Sequence, residues 1–237
     1  GDHVYGGRMN MMITIGQTGG GPKNGASARH NHENGDTDDL NTTPCFTPGT
    51  VVETDKGPEL IENLGIGDKV LTRDNGYQTI RWIGSKHITG RDLAATPHLR
   101  PILVRAGALG NDLPARDMQL SPNHRLMVSS EQTALYFEDR EVLVAAKHLV
   151  NNRGIYNVQT TGTTYIHFLF DRHELVRTNG SWTESFQPVD YSLRALGNAQ
   201  RQEILELFPE LRSKSRLERF PAARKILNKL EIQRLSE

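Results

Sequence analysis

The sequence predicts an all-β domain over residues 45–189, on three observations. Short apolar runs follow one another closely, turn residues separate them, and no run leads into the helical stretch that a parallel βαβ unit requires. The first run is Val51-Val52-Glu53-Thr54, closed by the turn Asp55-Lys56-Gly57-Pro58. Lys69-Val70-Leu71-Thr72 and Thr79-Ile80-Arg81-Trp82-Ile83-Gly84 flank Arg73-Asp74-Asn75-Gly76, where Asn-Gly is a strong hairpin signal. Further strands are expected at Ile102–Val104, Leu126–Val128, Val142–Val144, Ile155–Val158 and Tyr165–Phe170. Glu174–Val176 and Trp182 enclose Asn179-Gly180, which predicts a second hairpin.

The flanks read differently. Residues 1–44 carry Gly19-Gly20-Gly21-Pro22 and the polar tract Asn24–Asp39. So little apolar area cannot offset the entropy of ordering, so a flexible Gly/Asn-rich flank is expected. His30 and His32 fall in that tract and read as solvated polar residues, not as a metal pair. Gly1–Gly7 resembles one degenerate unit of the calcium-binding nonapeptide repeats of secreted bacterial proteins, which points to secretion without a cleaved signal peptide. In residues 190–237, Leu193, Leu196, Ile204, Leu205, Leu207 and Phe208 recur at helical spacing, and Ala222–Leu235 repeats the pattern after Pro209 and Pro221. This predicts a short α-helical tail whose apolar stripe docks on the β domain.

Bulk composition narrows the partners. Lys plus Arg and Asp plus Glu are 28 each among 237 residues, so there is no overall electrostatic case for nucleic acid or an anionic membrane. No apolar run approaches the roughly 18 residues of a membrane-spanning helix. Gly1-Asp2-His3-Val4 has neither the basic nor the apolar region of a signal peptide, and reads as the start of a fragment. No cofactor and no metal site are expected.

The chemistry centres on Cys45, the only cysteine, which can form no intramolecular disulfide. A free cysteine is commonly a small buried hydrophobe. Here, however, it stands where the polar flank ends at Pro44 and the first strand begins. Its sulfur can reach the Pro44 carbonyl through a five-membered ring, so attack on the Pro44–Cys45 bond is intramolecular. Two other segments bear reactive side chains. Ser121-Pro122-Asn123-His124 sets a hydroxyl three residues before a histidine, and Tyr165–Glu174 contains His167, Asp171 and His173. By period-2 alternation His167 points away from its neighbours Ile166 and Phe168, which suggests a structural role.

Taken together, these segments resemble the Hint domains, the autoprocessing modules shared by inteins and Hedgehog C-terminal regions. Cys45-Phe46-Thr47-Pro48-Gly49-Thr50-x-Val52 is similar to their opening block, and Ser121-x-x-His124 to their Thr-x-x-His block. Tyr165–Ser185 is similar to their closing block, with His173 and Asn179-Gly180 spaced as in the Hedgehog form. The wording is nearest to the bacterial Hint domains of secreted repeat proteins. The resemblance implies a horseshoe-like all-β fold with first and last blocks adjacent, and an N-to-S acyl shift at Cys45. It implies His124 as proton donor to the leaving amine, Ser121 as the hydroxyl that holds the scissile amide, and His173 at the strained carbonyl. Asp171 is added from its proximity, as a base for an incoming nucleophile.

The closing block departs from an intein, where His-Asn precedes the second junction. Glu184 and Ser185 take those positions, and neither can perform asparagine cyclisation. The expectation is therefore cleavage at Pro44–Cys45 through a thioester, without splicing. The substrate would be the chain's own flank, and the acyl acceptor water or another nucleophile. Two alternatives stand beside it: a non-cleaving Hint-fold interaction module, which the restricted backbone of Pro44 favours, and a hydrolase acting in trans through Cys45, His124 and Asp171.

Overall fold

The computed structural model describes residues 43–188, 196, 198–212 and 220–235. Residues 1–42 of the expected flexible flank, 1–44, lie outside the described residues, as does Leu193 of the tail. Within them the chain is all-β with a few short helices, as the turn-punctuated runs predict. The strands at the start are β1 (Val51–Thr54), β2 (Gly57–Leu60), β3 (Lys69–Thr72), β4 (Gly76–Thr79) and the long β5 (Trp82–Thr89). Helix α1 (Gly90–Ala95) precedes β6 (Ile102–Val104), β7 (Met118–Leu120) and β8 (Arg125–Ser129). Helix α2 (Glu131–Phe137) precedes β9 (Glu141–Ala145), β10 (Ile155–Asn157), the long β11 (Gly162–Leu169), β12 (Leu175–Thr178) and β13 (Ser181–Glu184). The tail holds α3 (Asn198–Leu207), β14 (Lys225–Ile226) and α4 (Lys229–Leu235).

One sheet has the order β14-β9-β8-β13-β12-β1-β3-β4, with β2 paired on β1. The predicted Asn179-Gly180 hairpin joins β12 to β13. Both residues have positive φ, 46° and 78°, as a tight turn matching strand twist demands. Asn179 also exchanges hydrogen bonds with Val51: its N–H donates to the Val51 carbonyl and its Oδ1 accepts from the Val51 N–H, each at 2.8 Å. The closing hairpin is thereby tied to the opening strand.

The run Thr79–Gly84 proves to be two strands. At Ile80 and Arg81 the chain passes from one sheet to the other: Ile80 bonds back to Asp68, and the Arg81 N–H donates to Leu169. Beyond that crossing β5 pairs with β11 along eight residues, from Trp82↔Leu169 to Thr89↔Gly162. A separate ladder has the order β10-β6-β7. Phe46 bridges Leu120 on one side and Ile166 on the other, so residues 45–47 join the two ladders as β10-β6-β7-(45–47)-β11-β5. The nucleophile candidate thus lies in an interior strand, flanked on both sides.

The two faces of this joined sheet bury different sets. Phe46, Ile83, Ile102, Leu120, Ile166 and Phe168 point into the main core with Val52, Ile61 and Val176. On the opposite face, Trp82, Leu169 and Phe186 meet Ile204, Leu205, Phe208, Leu211 and Phe220 of the tail. The tail also differs from the reading of residues 222–235 as helix. Lys225–Ile226 is a parallel strand on β9, and helix begins only at Lys229. The open edge of β9 offers backbone hydrogen bonds, Leu227 buries against Val142 and Val144, and Arg224 ties Asp74 to Glu141. Those tertiary contacts override a helical pattern too short to form by itself.

Candidate functional site

The two bridges of Phe46 set a row across the sheet. Cys45 stands opposite Ser121 on one side and opposite His167 on the other, and His167 stands opposite Gly84 of β5. Cross-strand partners project to the same face, so Ser121, Cys45 and His167 converge. Phe46 and Ile166 exchange both backbone hydrogen bonds, at 2.7 and 2.9 Å. That makes Cys45–His167 a non-hydrogen-bonded pair, the kind in which side chains approach most closely. The Cys45 Sγ is 3.7 Å from His167 Nδ1 and 3.5 Å from the Thr43 carbonyl oxygen.

On the other side, the Ser121 N–H donates to the Cys45 carbonyl at 3.0 Å. An uninterrupted ladder would return the Cys45 N–H to the Ser121 carbonyl. Instead it donates to the Ser121 hydroxyl oxygen at 2.8 Å, and that hydroxyl donates to Thr43 O at 3.1 Å. The nitrogen of the Pro44–Cys45 bond is therefore held by a group that can give a proton back, which a carbonyl cannot.

His124 is wholly buried, edge-on to the Phe46 ring at 4.4 Å. Its Nδ1 lies 2.9 Å from the Cys45 carbonyl oxygen and its Nε2 2.9 Å from the Glu184 carbonyl oxygen. Both neighbours only accept, so a neutral ring satisfies one of them and a charged ring both. Burial pulls its pKa below the ordinary histidine value, against the opposing pull of Glu184 and the two carbonyls. The structure sets Ser121, not His124, against the Cys45 nitrogen.

His173 joins this arrangement at one remove. Its Nδ1 accepts the Ala223 N–H at 2.9 Å, so the ring proton lies on Nε2 and is donated to Glu184 Oε1 at 2.9 Å. Glu184 Oε2 accepts from the Arg125 N–H at 2.6 Å and pairs with Arg125 Nε at 2.9 Å. Burial acts to raise the Glu184 carboxyl, but Arg125 and His173 outweigh it and hold it below the usual range. A chain of contacts thus runs from the tail through His173, Glu184 and His124 to Cys45.

Asp171 does not join it. Its side chain is half exposed just beyond the end of β11, where it pairs with Arg81. Among the described residues it shares no hydrogen bond with Cys45, Ser121 or His124. Nearness in sequence to His173 suggested the residue; the turn after β11 sends it to the surface.

His167 was legible in part. The alternation is as read, since Ile166 and Phe168 enter the core while His167 faces away from it. That outer face, however, is the one bearing Cys45. The imidazole sits between the rings of Trp82 and Phe186, at centroid distances of 5.1 and 5.7 Å. Gly84 permits this: a Cβ there would meet the Trp82 ring at 2.5 Å. Among the described residues the buried Nε2 has no hydrogen-bond partner, and burial depresses the His167 pKa to about 3. Burial likewise pushes the Cys45 thiol up to about 12, with Ser121 and Lys86 opposing. The thiol is 5% exposed beneath Ile88, Leu93, Leu99 and Tyr165. At neutral pH the pair is thus a thiol facing a neutral imidazole. Among the described residues no histidine, cysteine or carboxylate cluster could hold a metal ion.

The Hint domain family matches residues 44–190, more than half of the chain. Among solved structures, a bacterial intein-like domain from Clostridium thermocellum is 15% identical with a TM-score of 0.39, covering 60% of this chain and 97% of its own. The gp41-1 intein is 15% identical with a TM-score of 0.35, covering 59% of this chain and 97% of its own. A splice-inactive variant of the AceL NrdHF class 3 split intein is 16% identical with a TM-score of 0.36, covering 60% and 97%. No curated protein matches the sequence.

Proposed function

This chain belongs to the Hint domain family, and we propose that it cleaves its own Pro44–Cys45 bond through an N-to-S acyl shift, without splicing. The observation that carries this reading is the row Ser121–Cys45–His167, which sets a proton acceptor at the sulfur and a hydroxyl at the nitrogen of one peptide bond. His167 Nδ1 takes the thiol proton as Sγ attacks the Pro44 carbonyl carbon. The resulting five-membered ring opens by C–N cleavage, Ser121 protonates the departing nitrogen, and the Pro44 acyl group is left on sulfur. The proton held on His167 then returns to the Ser121 oxygen, directly or through solvent, so that one proton moves in total from sulfur to nitrogen and both side chains are restored. Positioned acid–base groups of this kind contribute about 10² to 10⁴ in rate. His124 and His173, through Glu184, hold the Cys45 carbonyl and so the orientation of the bond. Water or an added nucleophile then takes the acyl group.

Retention of the C-terminal tail follows from the closing pair. Glu184 and Ser185 carry no amide side chain that could cyclise, so the second junction stays intact. Residues 1–44 are the substrate, and the thioester is the intermediate.

The test is an intact mass spectrum of the full chain incubated with dithiothreitol or hydroxylamine near neutral pH. A new N-terminus at Cys45 is expected. An unchanged mass after prolonged incubation would favour the second reading, a non-cleaving interaction module. That reading has one observation behind it: the thiol is buried and held strongly in its protonated form.

A further inference from the structure

The row next to Cys45 supplies a charge. Phe46 pairs with Ile166, so Thr47 stands opposite Tyr165, and Tyr165 stands opposite Lys86 of β5. Lys86 shares its face with Gly84 and Ile88 by strand alternation, as Tyr165 does with His167. Cys45 packs on Ile88 and Tyr165 from that same side. Lys86 is therefore on the thiol-bearing face, half-buried, one row along and two strands across from Cys45.

The charged and titratable groups around it are few. Tyr165 donates its hydroxyl to the Leu99 carbonyl at 2.5 Å. Asp92, on the helix covering the thiol, accepts the Thr89 N–H at 2.9 Å in a capping box. Among the described residues Lys86 forms no ion pair, so its charge is not already neutralised at contact. Asp92 and Cys45 are the groups whose fields act on it, and burial lowers its pKa against both.

A cysteine nucleophile ordinarily draws its counter-charge from an adjacent imidazolium. His167 is ill suited to that duty, because Trp82 and Phe186 enclose its ring and, among the described residues, its Nε2 has no partner to share a positive charge. It can relay a proton but not remain charged. We infer that Lys86 is the counter-cation of the Cys45 thiolate, acting through space across the β5–β11 ladder and not by contact. The inference rests on Cys45 being the nucleophile of the proposed cleavage.

Thiol modification tests it independently of cleavage, since a single cysteine gives a single adduct. The full chain and its Lys86→Met, Lys86→Gln and Lys86→Arg variants are treated with methyl methanethiosulfonate between about pH 7 and 9, and adducts are counted by mass. A unit charge roughly 10 Å away, two strand spacings, in a partly buried site moves a thiol by on the order of one pH unit. Modification of both uncharged variants should therefore be about tenfold slower at each pH, while Lys86→Arg stays within about twofold of the parent. Equal rates in guanidinium-unfolded chains would show that the difference belongs to the folded site. Parent-like rates in the uncharged variants, or an arginine variant as slow as methionine, would overturn the assignment. If the parent never cleaves yet the rates order as expected, the cleavage reading fails and the charge assignment stands.

Discussion

Cys45 and His167 face each other across adjacent strands, with Sγ 3.7 Å from Nδ1, because Phe46 and Ile166 are hydrogen-bonded to each other in the same ladder. One backbone pairing thus decides which side chain meets the thiol. It sets an imidazole nitrogen at the sulfur, while the Ser121 hydroxyl accepts from the nitrogen of the Pro44–Cys45 bond.

Roles at the two atoms should separate by mutation. Cys45→Ala should abolish cleavage. Ser121→Ala, at nitrogen, and His167→Phe, at sulfur, should each slow it by about 10²-fold. Circular dichroism should show both folded. Cleavage at the parental rate in His167→Phe would leave that histidine a structural role only.

His124→Ala should slow cleavage while the fold survives. It removes the ring that bridges the Cys45 and Glu184 carbonyls, at 2.9 Å each. Single-turnover rates beside melting curves distinguish lost orientation from lost fold.

Stability should be greatest between the ordinary histidine and thiol values. The folded pKa of His167 is depressed from 6.5 to about 3, so its contribution is complete above 6.5 and lost as pH falls through 3. The folded pKa of Cys45 is raised from 9.0 to about 12, so its contribution is complete below 9.0 and lost as pH rises through 12. Urea midpoints measured across pH should form a plateau with both arms falling. Cys45→Ala should flatten the alkaline arm without removing it, since burial also raises Tyr165.

Glu184→Gln should destabilise the chain by roughly 3–5 kcal/mol, because it leaves the Arg125 charge without its buried partner. Arg125 and Glu184 side chains are 11% and 0% exposed, so solvent cannot compensate. The urea midpoint is the measurement.

The tail should behave as part of the folded unit and stay covalently attached in every processed product. Phe220 is 2% exposed against Phe208 and the Trp82 cluster, so Phe220→Ala should cost about 3–5 kcal/mol. A ligated product joining residues before Cys45 to the tail would overturn single-junction chemistry.

What local physics controls was legible in the chain of residues. Asn75-Gly76 and Asn179-Gly180 marked both hairpins, because glycine takes the positive φ that each turn needs, at 64° and 78°. Short apolar runs without intervening helices marked the all-β class, and the junction at Pro44–Cys45 marked the candidate nucleophile. Alternation even set His167 on the correct face. Only the tertiary structure decided what that face carries, since the partners of Cys45 lie 76 and 122 residues away in sequence, at Ser121 and His167. The same holds for Glu184, which meets Arg125 and His173 inside the fold, and for Lys225–Ile226, which the edge of β9 draws into a strand. Asp171 marks the converse: adjacent in sequence to the site, it ends on the surface with Arg81. Turns and periodicities are short-range and local in energy, whereas a site assembled by cross-strand register depends on contacts that no window of neighbouring residues contains.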